Sequence, residues 1–479
     1  PQEGVWETCG FKRRRLCGYP PGNHQHRAEA GGCKGTLRCG RLSTQNPACE
    51  WKTDVSLLKP FMVPRIFRLT LVNIWSTIPN MQQRLSKMIP RQRLVNRVLQ
   101  SLDEAPVTVL SGARQTGKTT LAQMTAEIFG KRTGAQVHFF DLERAASRAA
   151  LTTAEMTLEP LRGLVVIDEI QRIPPLFETL RPLVDRRDVP VRFMVLGSAS
   201  SGLVRGVSES LAGRTLFLRV SGFALDELSS DDLNSLWIRG GFPRSWLASS
   251  DGASRRWREA FVSTFLERDV PQLGIQVPSE ALRRFWTMLA HYHGQTWNAS
   301  ELARSMGVSS KTALYYRDIL AGGYMLRVLP PWFENLKKRQ VKSPKTFIRD
   351  SGLLHTLLGV LDMAALRSHP GYGASWEGFA LEQVLTFLGS EQAYFWGTQR
   401  GAELDLLLFR NGERLGFEFK CSDAPTLTKS MHIALADLGL HRLFVVYPGK
   451  ERYRLHKKIE VLPLTECVDL KEIETELGR

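Results

Sequence analysis

Cysteine almost disappears from this 479-residue chain after its first fifty positions. Cys9, Cys17, Cys33, Cys39 and Cys49 crowd that opening stretch, and only Cys421 and Cys467 lie elsewhere. A disulfide framework is thereby excluded for the main body, which reads as reduced and cytoplasmic. The early five lack paired C-x-x-C spacing and make a weak case for zinc. Long apolar runs are missing too. The longest candidate, 57–75, is interrupted by Lys59, Pro60, Pro64, Arg65 and Arg68. It is too broken to cross a bilayer, so no membrane partner is expected. Acidic residues are scarce in two places. Residues 1–80 hold 12 Lys/Arg against 5 Asp/Glu, and residues 281–345 hold 11 against 3. Those stretches carry nearly all of the net charge of +16, and a basic folded module is a candidate nucleic-acid surface.

Hydrophobic periodicity is what residues 1–80 lack most. They contain Lys12-Arg-Arg-Arg15, Pro20-Pro-Gly and Gly31-Gly instead, and are expected to be a disordered basic extension, read as sequence upstream of the natural start, with a basic, Cys-bearing arm as the alternative. Met81 or Met88 opens a sensible domain. The remaining length requires more than one core. A helix is expected over 91–102, with Leu94, Val95, Val98, Leu99 and Leu102 on one face.

What is present begins at Val107. A β-branched run leads into Ser111-Gly-Ala-Arg-Gln-Thr-Gly-Lys-Thr119, which has the G-x-x-x-x-G-K-T spacing of a phosphate loop. Gly112 and Gly117 let the backbone curl so that the N–H groups of Ala113, Arg114, Gln115 and Thr116 point inward at phosphate oxygens. The helix read from Leu121, directly after Thr120 of the same phosphate-binding run, offers its positive end to the same anion. Lys118 reaches the terminal phosphates, and the Thr119 hydroxyl holds Mg²⁺. The expected cofactors are ATP and Mg²⁺.

Further strands are expected over 136–142, 163–171, 191–200 and 216–220. The second half of the ATPase site is Val166-Ile-Asp-Glu-Ile-Gln171. Asp168 at the strand end assists the metal, and Glu169 orients or deprotonates the attacking water. Ser198 ends the next strand as a γ-phosphate sensor. Arg214, just before the last strand, stands where an arginine finger can enter a neighbouring subunit's site, implying a homo-oligomer.

Residues 223–280 read as mostly helical. A helix at 281–291 precedes a helix-turn-helix over 298–320, with Ser300 capping the first helix, Gly307 turning, and Ser309 or Ser310 capping the second. Lys311, Thr312 and Arg317 lie on the second helix. Residues 322–329 resemble a wing strand, and Lys337-Lys-Arg339 extends the basic surface, so DNA is an expected partner.

A second site is legible near the C-terminal end. A helix over 374–388 carries Glu377 and Glu382, and strands over 401–409 and 415–420 flank a turn at Asn411-Gly412. This hairpin brings Asp405, Glu418 and Lys420 to one end of a sheet. The carboxylates there can hold a second divalent metal, and the lysine can polarise water or phosphate. A helix over 428–438 and a strand over 442–447 follow.

From Met88 to Pro448 the chain resembles a bacterial and archaeal family of AAA+-superfamily ATPases with a C-terminal domain of unknown function. The resemblance rests on the phosphate loop, Val166 to Gln171, Leu196-Gly-Ser198 and Leu211-Ala-Gly-Arg214. It continues through Gly240-Gly-Phe-Pro243, Leu266-Glu-Arg-Asp269, Arg349-Asp-Ser-Gly-Leu353, Trp376-Glu377 and Glu403-Leu-Asp405 with Glu418-Phe-Lys420. It implies an α/β architecture: a P-loop NTPase parallel sheet over 81–222, a helical connector over 223–280, a winged helix over 281–345 and a PD-(D/E)xK nuclease-like domain over 346–479. Glu377 follows the family's aromatic-Glu pattern and is preferred to Glu382 as first nuclease acid. The expected function is ATP hydrolysis coupled to DNA or partner binding, with metal-dependent nuclease activity at the second site. The alternative is an ATP-dependent switch or scaffold whose nuclease-like domain binds without cutting.

Overall fold

The computed structural model describes residues 89–186, 191–198, 211–334, 339–389 and 391–469. The basic extension at 1–80, both candidate start methionines, Ser200 and the Lys337-Lys338 pair lie outside them.

Helix α1 (Gln92–Glu104) buries Leu94, Val95, Val98, Leu99 and Leu102, the stripe its sequence period marks. Strands β1 (Val107–Gly112), β2 (Val137–Asp141), β3 (Gly163–Asp168), β4 (Val191–Ser198) and β5 (Thr215–Arg219) form one sheet in the order β2-β3-β4-β1-β5. Every pairing in it is parallel. Both faces are covered: Val107, Val109, Val165 and Ile167 join one core, while Leu110, Leu164, Val166 and Leu121 join the other. Alternate residues of each strand therefore serve opposite faces, as a two-sided parallel sheet requires. Helix α2 (Lys118–Thr133) follows the loop at the carboxyl end of β1. Strand β3 stops at Asp168, short of the expected residue 171, because Glu169 takes a left-handed φ of 56° and starts a short 3-10 turn.

The second module contains α3 (Ser279–His291), β6 (Gln295–Thr296), α4 (Ala299–Met306), α5 (Ser310–Gly322), β7 (Leu326–Leu329) and β8 (Lys345–Ile348). Its strands lie in the order β6-β8-β7, antiparallel throughout. Asn298, not Ser300, caps α4 by accepting from the Glu301 N–H; Ser300 lies inside the helix. Ser309 caps α5, and Gly307 turns the chain between them at φ 69°. The boundary expected after residue 345 falls inside β8. The segment after it, including Leu353 and Leu354, still packs into this module's core.

In the last module, α6 (Tyr372–Leu388) lies against a six-stranded sheet in the order β13-β14-β12-β11-β10-β9. Its strands are β9 (Ala393–Gly397), β10 (Glu403–Arg410), β11 (Glu413–Phe419), β12 (Arg442–Tyr447), β13 (Tyr453–His456) and β14 (Ile459–Pro463). Asn411 and Gly412, both at positive φ, close the β10–β11 hairpin in two residues, which is the geometry Asn-Gly favours. Helix α7 (Lys429–Asp437) crosses from β11 to the parallel strand β12. The expected connector is divided between two cores: Leu225, Leu236 and Trp237 pack with α6, whereas Phe261, Phe265 and Val270 pack with the second module.

Candidate functional site: a phosphate loop backed by a carboxylate cluster

All six residues of β1 are buried between β4 and β5, so the loop that follows springs from the rigid centre of the sheet. Only glycine is tolerated at 112, since an added Cβ would lie 2.2 Å from the Val220 carbonyl oxygen. The turn runs through Gln115 at φ 63° and Gly117 at φ 86°. No side chain caps α2, which leaves its first N–H groups available to an anion. Lys118 is buried, and its Nζ donates to the carbonyls of Ala113 (2.7 Å) and Gly112 (3.1 Å). The ammonium is thus held on the loop where phosphate would compete for it.

Opposite the loop, the Thr119 hydroxyl donates to Asp168 Oδ2 at 2.6 Å. Both are hard oxygen ligands, and Mg²⁺ takes only one or two protein oxygens when phosphates supply others. These two groups fit that metal. The left-handed turn at Glu169 swings its carboxylate off the strand toward Gln171 and Ser198. Gln171 donates to Glu169 Oε2 and to Ser198 Oγ (2.9 Å), while Ser198 lies 3.3 Å from the same carboxylate. A cavity of about 210 Å³ opens here, lined by Arg114, Gln171, Ser198 and Asp269 among others.

Arg214 does not join this group. Its carbonyl accepts from Val107 N–H, at the end of β1 remote from the loop, and its guanidinium makes a two-bond pair with exposed Asp185. Three further residues, none assigned a role from the sequence, brace the loop. Arg91, buried beside Glu227, donates to the Thr116 carbonyl at 2.9 Å. Asp269, in a π-turn at Phe265–Asp269, pairs with Arg114 at 2.6 Å. Tyr324 hydroxyl lies 3.3 Å from Ser111 Oγ. The proline before Arg91 and the acid closing Leu266-Glu-Arg-Asp269 were visible signals, but nothing local tied either one to the loop.

Burial pushes Lys118 down to about 8, against the pull of Glu169 and Asp168. Burial also pushes Asp168 up to about 6, although the Thr119 hydrogen bond opposes it. Lys118 must be charged to meet phosphate, and Asp168 must be ionised to meet the metal. Affinity for magnesium-bound triphosphate should therefore rise as pH climbs through about 6 and fall beyond about 8. Asp168→Asn should flatten the acid limb alone. Titrations with a fluorescent ATP analogue across that range test this, and identical limbs in both proteins would refute it.

The C-terminal carboxylates are built by the hairpin. Asp405 and Glu418 lie on neighbouring strands, and Asp405 Oδ2 accepts from the Phe419 N–H at 2.9 Å. Lys420 Nζ lies 2.7 Å from Glu418 and 3.9 Å from Asp405. Glu377 of α6 joins them. Glu382, five residues further along the helix, turns away to Arg327 and Arg349. Two groups assigned no role from the sequence enter: Glu403, marked there only as part of Glu403-Leu-Asp405 and on the same face of β10 as Asp405, and Lys345 of β8. Lys345 Nζ contacts Glu377 (3.0 Å), Glu403 and Asp405 (3.7 Å). Period-two spacing from Asp405 could have flagged Glu403; nothing local flags Lys345. Burial and neighbouring Asp405 push Glu377 up to about 7 and Glu418 up to about 8. Among the described residues no group of three or more His, Cys, Asp or Glu is arranged to hold a metal ion. A second metal does not fit this set while Lys345 stands in it.

Residues 104–229 match the AAA domain family, residues 230–364 a domain of unknown function (DUF8612), and residues 372–467 another (DUF4143). The uncharacterized proteins Rv2008c of Mycobacterium tuberculosis and Mb2031c of Mycobacterium bovis are each 45% identical over 387 residues, spanning 81% of this chain and 86% of theirs. Among solved structures, the Walker-type ATPase paby2304 of Pyrococcus abyssi is similar at 14% identity and a TM-score of 0.42, covering 57% of this chain and 97% of that one. No helix among the described residues is long and apolar enough to cross a membrane.

Proposed function

Because this chain belongs to the family of the two mycobacterial proteins and carries an AAA-type P-loop domain, we propose that it binds ATP with Mg²⁺ and hydrolyses it. The observation that carries this reading is the contact of Thr119 with Asp168, with Glu169 held beside Ser198 one strand away. Ala113 to Thr116 and the start of α2 wrap the phosphates, and Lys118 shifts from the loop carbonyls to the terminal phosphates. Mg²⁺, when bound by Thr119 and Asp168, neutralises phosphate charge. Glu169 accepts the proton of the attacking water, and Ser198 and Gln171 hold that carboxylate in place.

The second module has the helix, strand, helix, helix, strand, strand order of a winged helix, and we read it as the element that answers to nucleotide. Tyr324 supports this. It is held at a left-handed φ of 61°, costly for a bulky residue, directly behind Ser111. The wing is engaged elsewhere: Trp332 N–H donates to the Phe395 carbonyl, and its ring packs on Tyr394 and Phe409. Thr312 bonds Ser309 and Arg317 pairs with Asp318, which leaves exposed Lys311, with Leu314 and Tyr315, as the face for DNA or a partner. A role for Arg214 in a neighbouring copy would require its Asp185 pair to open.

For the last module, the helix, hairpin and crossover to a parallel strand support a PD-(D/E)xK-like fold with Glu377, Asp405, Glu418 and Lys420 in the acid and lysine positions. Lys345 among those acids favours a module that binds rather than cuts, the switch or scaffold reading.

Lys118→Ala tests the whole. Loss of one buried, charge-assisted donor to phosphate should weaken ATP binding by roughly 30-fold or more, while the melting temperature stays near that of the wild type. Unchanged affinity would end the phosphate-loop reading. In the same preparations, duplex affinity should fall as salt rises; a flat salt response would remove DNA from the partners.

A further inference from the structure

We propose that the Lys345 ammonium is the resident cation of the C-terminal carboxylate cluster, standing where a nuclease of this fold would carry a divalent metal. This rests on the nuclease-like reading of the last module and is independent of the ATP site. An Mg²⁺ held by Glu377 and Asp405 would sit about 2.0–2.1 Å from their oxygens. Lys345 Nζ is already 3.0 Å from Glu377 and 3.7 Å from Asp405, and it contacts Glu403 as well. A dication and an ammonium in one such space repel strongly at low dielectric.

The lysine cannot easily step aside. Its residue is 5% exposed. Its backbone is paired on both sides, with Thr296 on β6 and Leu329 on β7. Its ammonium also lies 5.7 Å from the centre of the Phe395 ring. The strand cannot shift without the sheet of the second module, and the ammonium can leave only by a change of rotamer out of a nearly closed site. The cation is therefore supplied by one module to the acids of another, and it fastens the two together. Lys420 plays the smaller part, spanning Glu418 and Asp405 on the outer side. Glu418 Oε1, buried with no hydrogen-bond partner, is the one feature that argues for an added ligand. Lys420 meets the other oxygen of that carboxylate, Oε2, and Asp405 is near enough to raise Glu418.

Mn²⁺ binding to the nucleotide-free full chain, read by electron paramagnetic resonance, tests this without any activity assay. The diagnostic quantity is the Mn²⁺ that Asp405→Asn removes, since metal at Thr119 and Asp168 is indifferent to that change. Wild type should show none. Lys345→Met, which keeps the stem and deletes the charge, should gain about one Mn²⁺ per chain, lost again in the double variant with Asp405→Asn. Melting curves establish that each variant folds, and Lys345→Gln takes the place of Lys345→Met if that protein does not. Asp405-dependent Mn²⁺ in wild type would overturn the proposal and restore the metal-dependent reading of the same fold. Absence of any gain on removing the charge would overturn it too, because the lysine would then not be what stands in the metal's place.

Discussion

Glu169→Gln should leave ATP binding close to wild type while lowering turnover by roughly 10²- to 10⁴-fold, the range for loss of a positioned general base. The amide is nearly isosteric and can still bond Gln171 and Ser198, so the loop and its metal-side groups stay in place. What disappears is the ability to take a proton from water. The contrast with Lys118→Ala is the useful part, because that change acts on binding and this one on the chemical step. Single-turnover hydrolysis beside equilibrium ATP titration separates them. Wild-type turnover in Glu169→Gln would remove this residue from the mechanism and turn attention to Asp168.

The sheet and its loop were legible because their determinants are local. Val107 to Gly112 reads as a buried strand, the glycines mark the turn, and Asp168 ends a second apolar run. The Asn411-Gly412 turn fixed its hairpin register for the same reason. What escaped was carried by distant pairs. Lys345 lies 60 residues from Asp405, and Arg91 lies 136 from Glu227. No periodicity within either segment announces such a partner. The choice between Glu377 and Glu382 shows the limit well. Five residues on a helix rotate a side chain by about 140°, so the two must face different surroundings. Only the second module, which brings Lys345 to one and Arg327 and Arg349 to the other, decides which faces which. Ser300 failed as a cap on a finer scale, since Asn298 two residues earlier offered the same hydrogen bond at the true helix start.

Breaking the other half of that choice should have the largest effect on stability. Glu382→Gln leaves the guanidiniums of Arg327 and Arg349 facing an amide in a site where all three side chains are largely buried. Removing one partner of a buried ion pair costs roughly 3–5 kcal/mol, which for a cooperative unit of roughly 150–250 residues corresponds to a fall of roughly 6–20 °C in apparent melting temperature. Burial alone would raise Glu382, but the charges of Arg327 and Arg349 outweigh it and pull the group down to about 2. An acid depressed in the folded state contributes stability above its unfolded value, and that contribution is lost as pH falls through the folded one. The gap between wild type and variant should therefore be full at neutral pH and close as pH drops from about 4.5 toward about 2. The consequence reaches the phosphate loop. Arg349 lies 5.5 Å from the centre of the Tyr324 ring, and Glu382 lines the same cavity as Gly112 and Ala113. Loosening Arg349 should free Tyr324 from its strained seat behind Ser111, so Glu382→Gln should also weaken ATP binding although it touches no phosphate. Calorimetric melting at several pH values, paired with ATP titration at neutral pH, reads both effects. A gap that does not change with pH would show that packing rather than charge holds this junction, and ATP affinity equal to wild type would disconnect it from the loop.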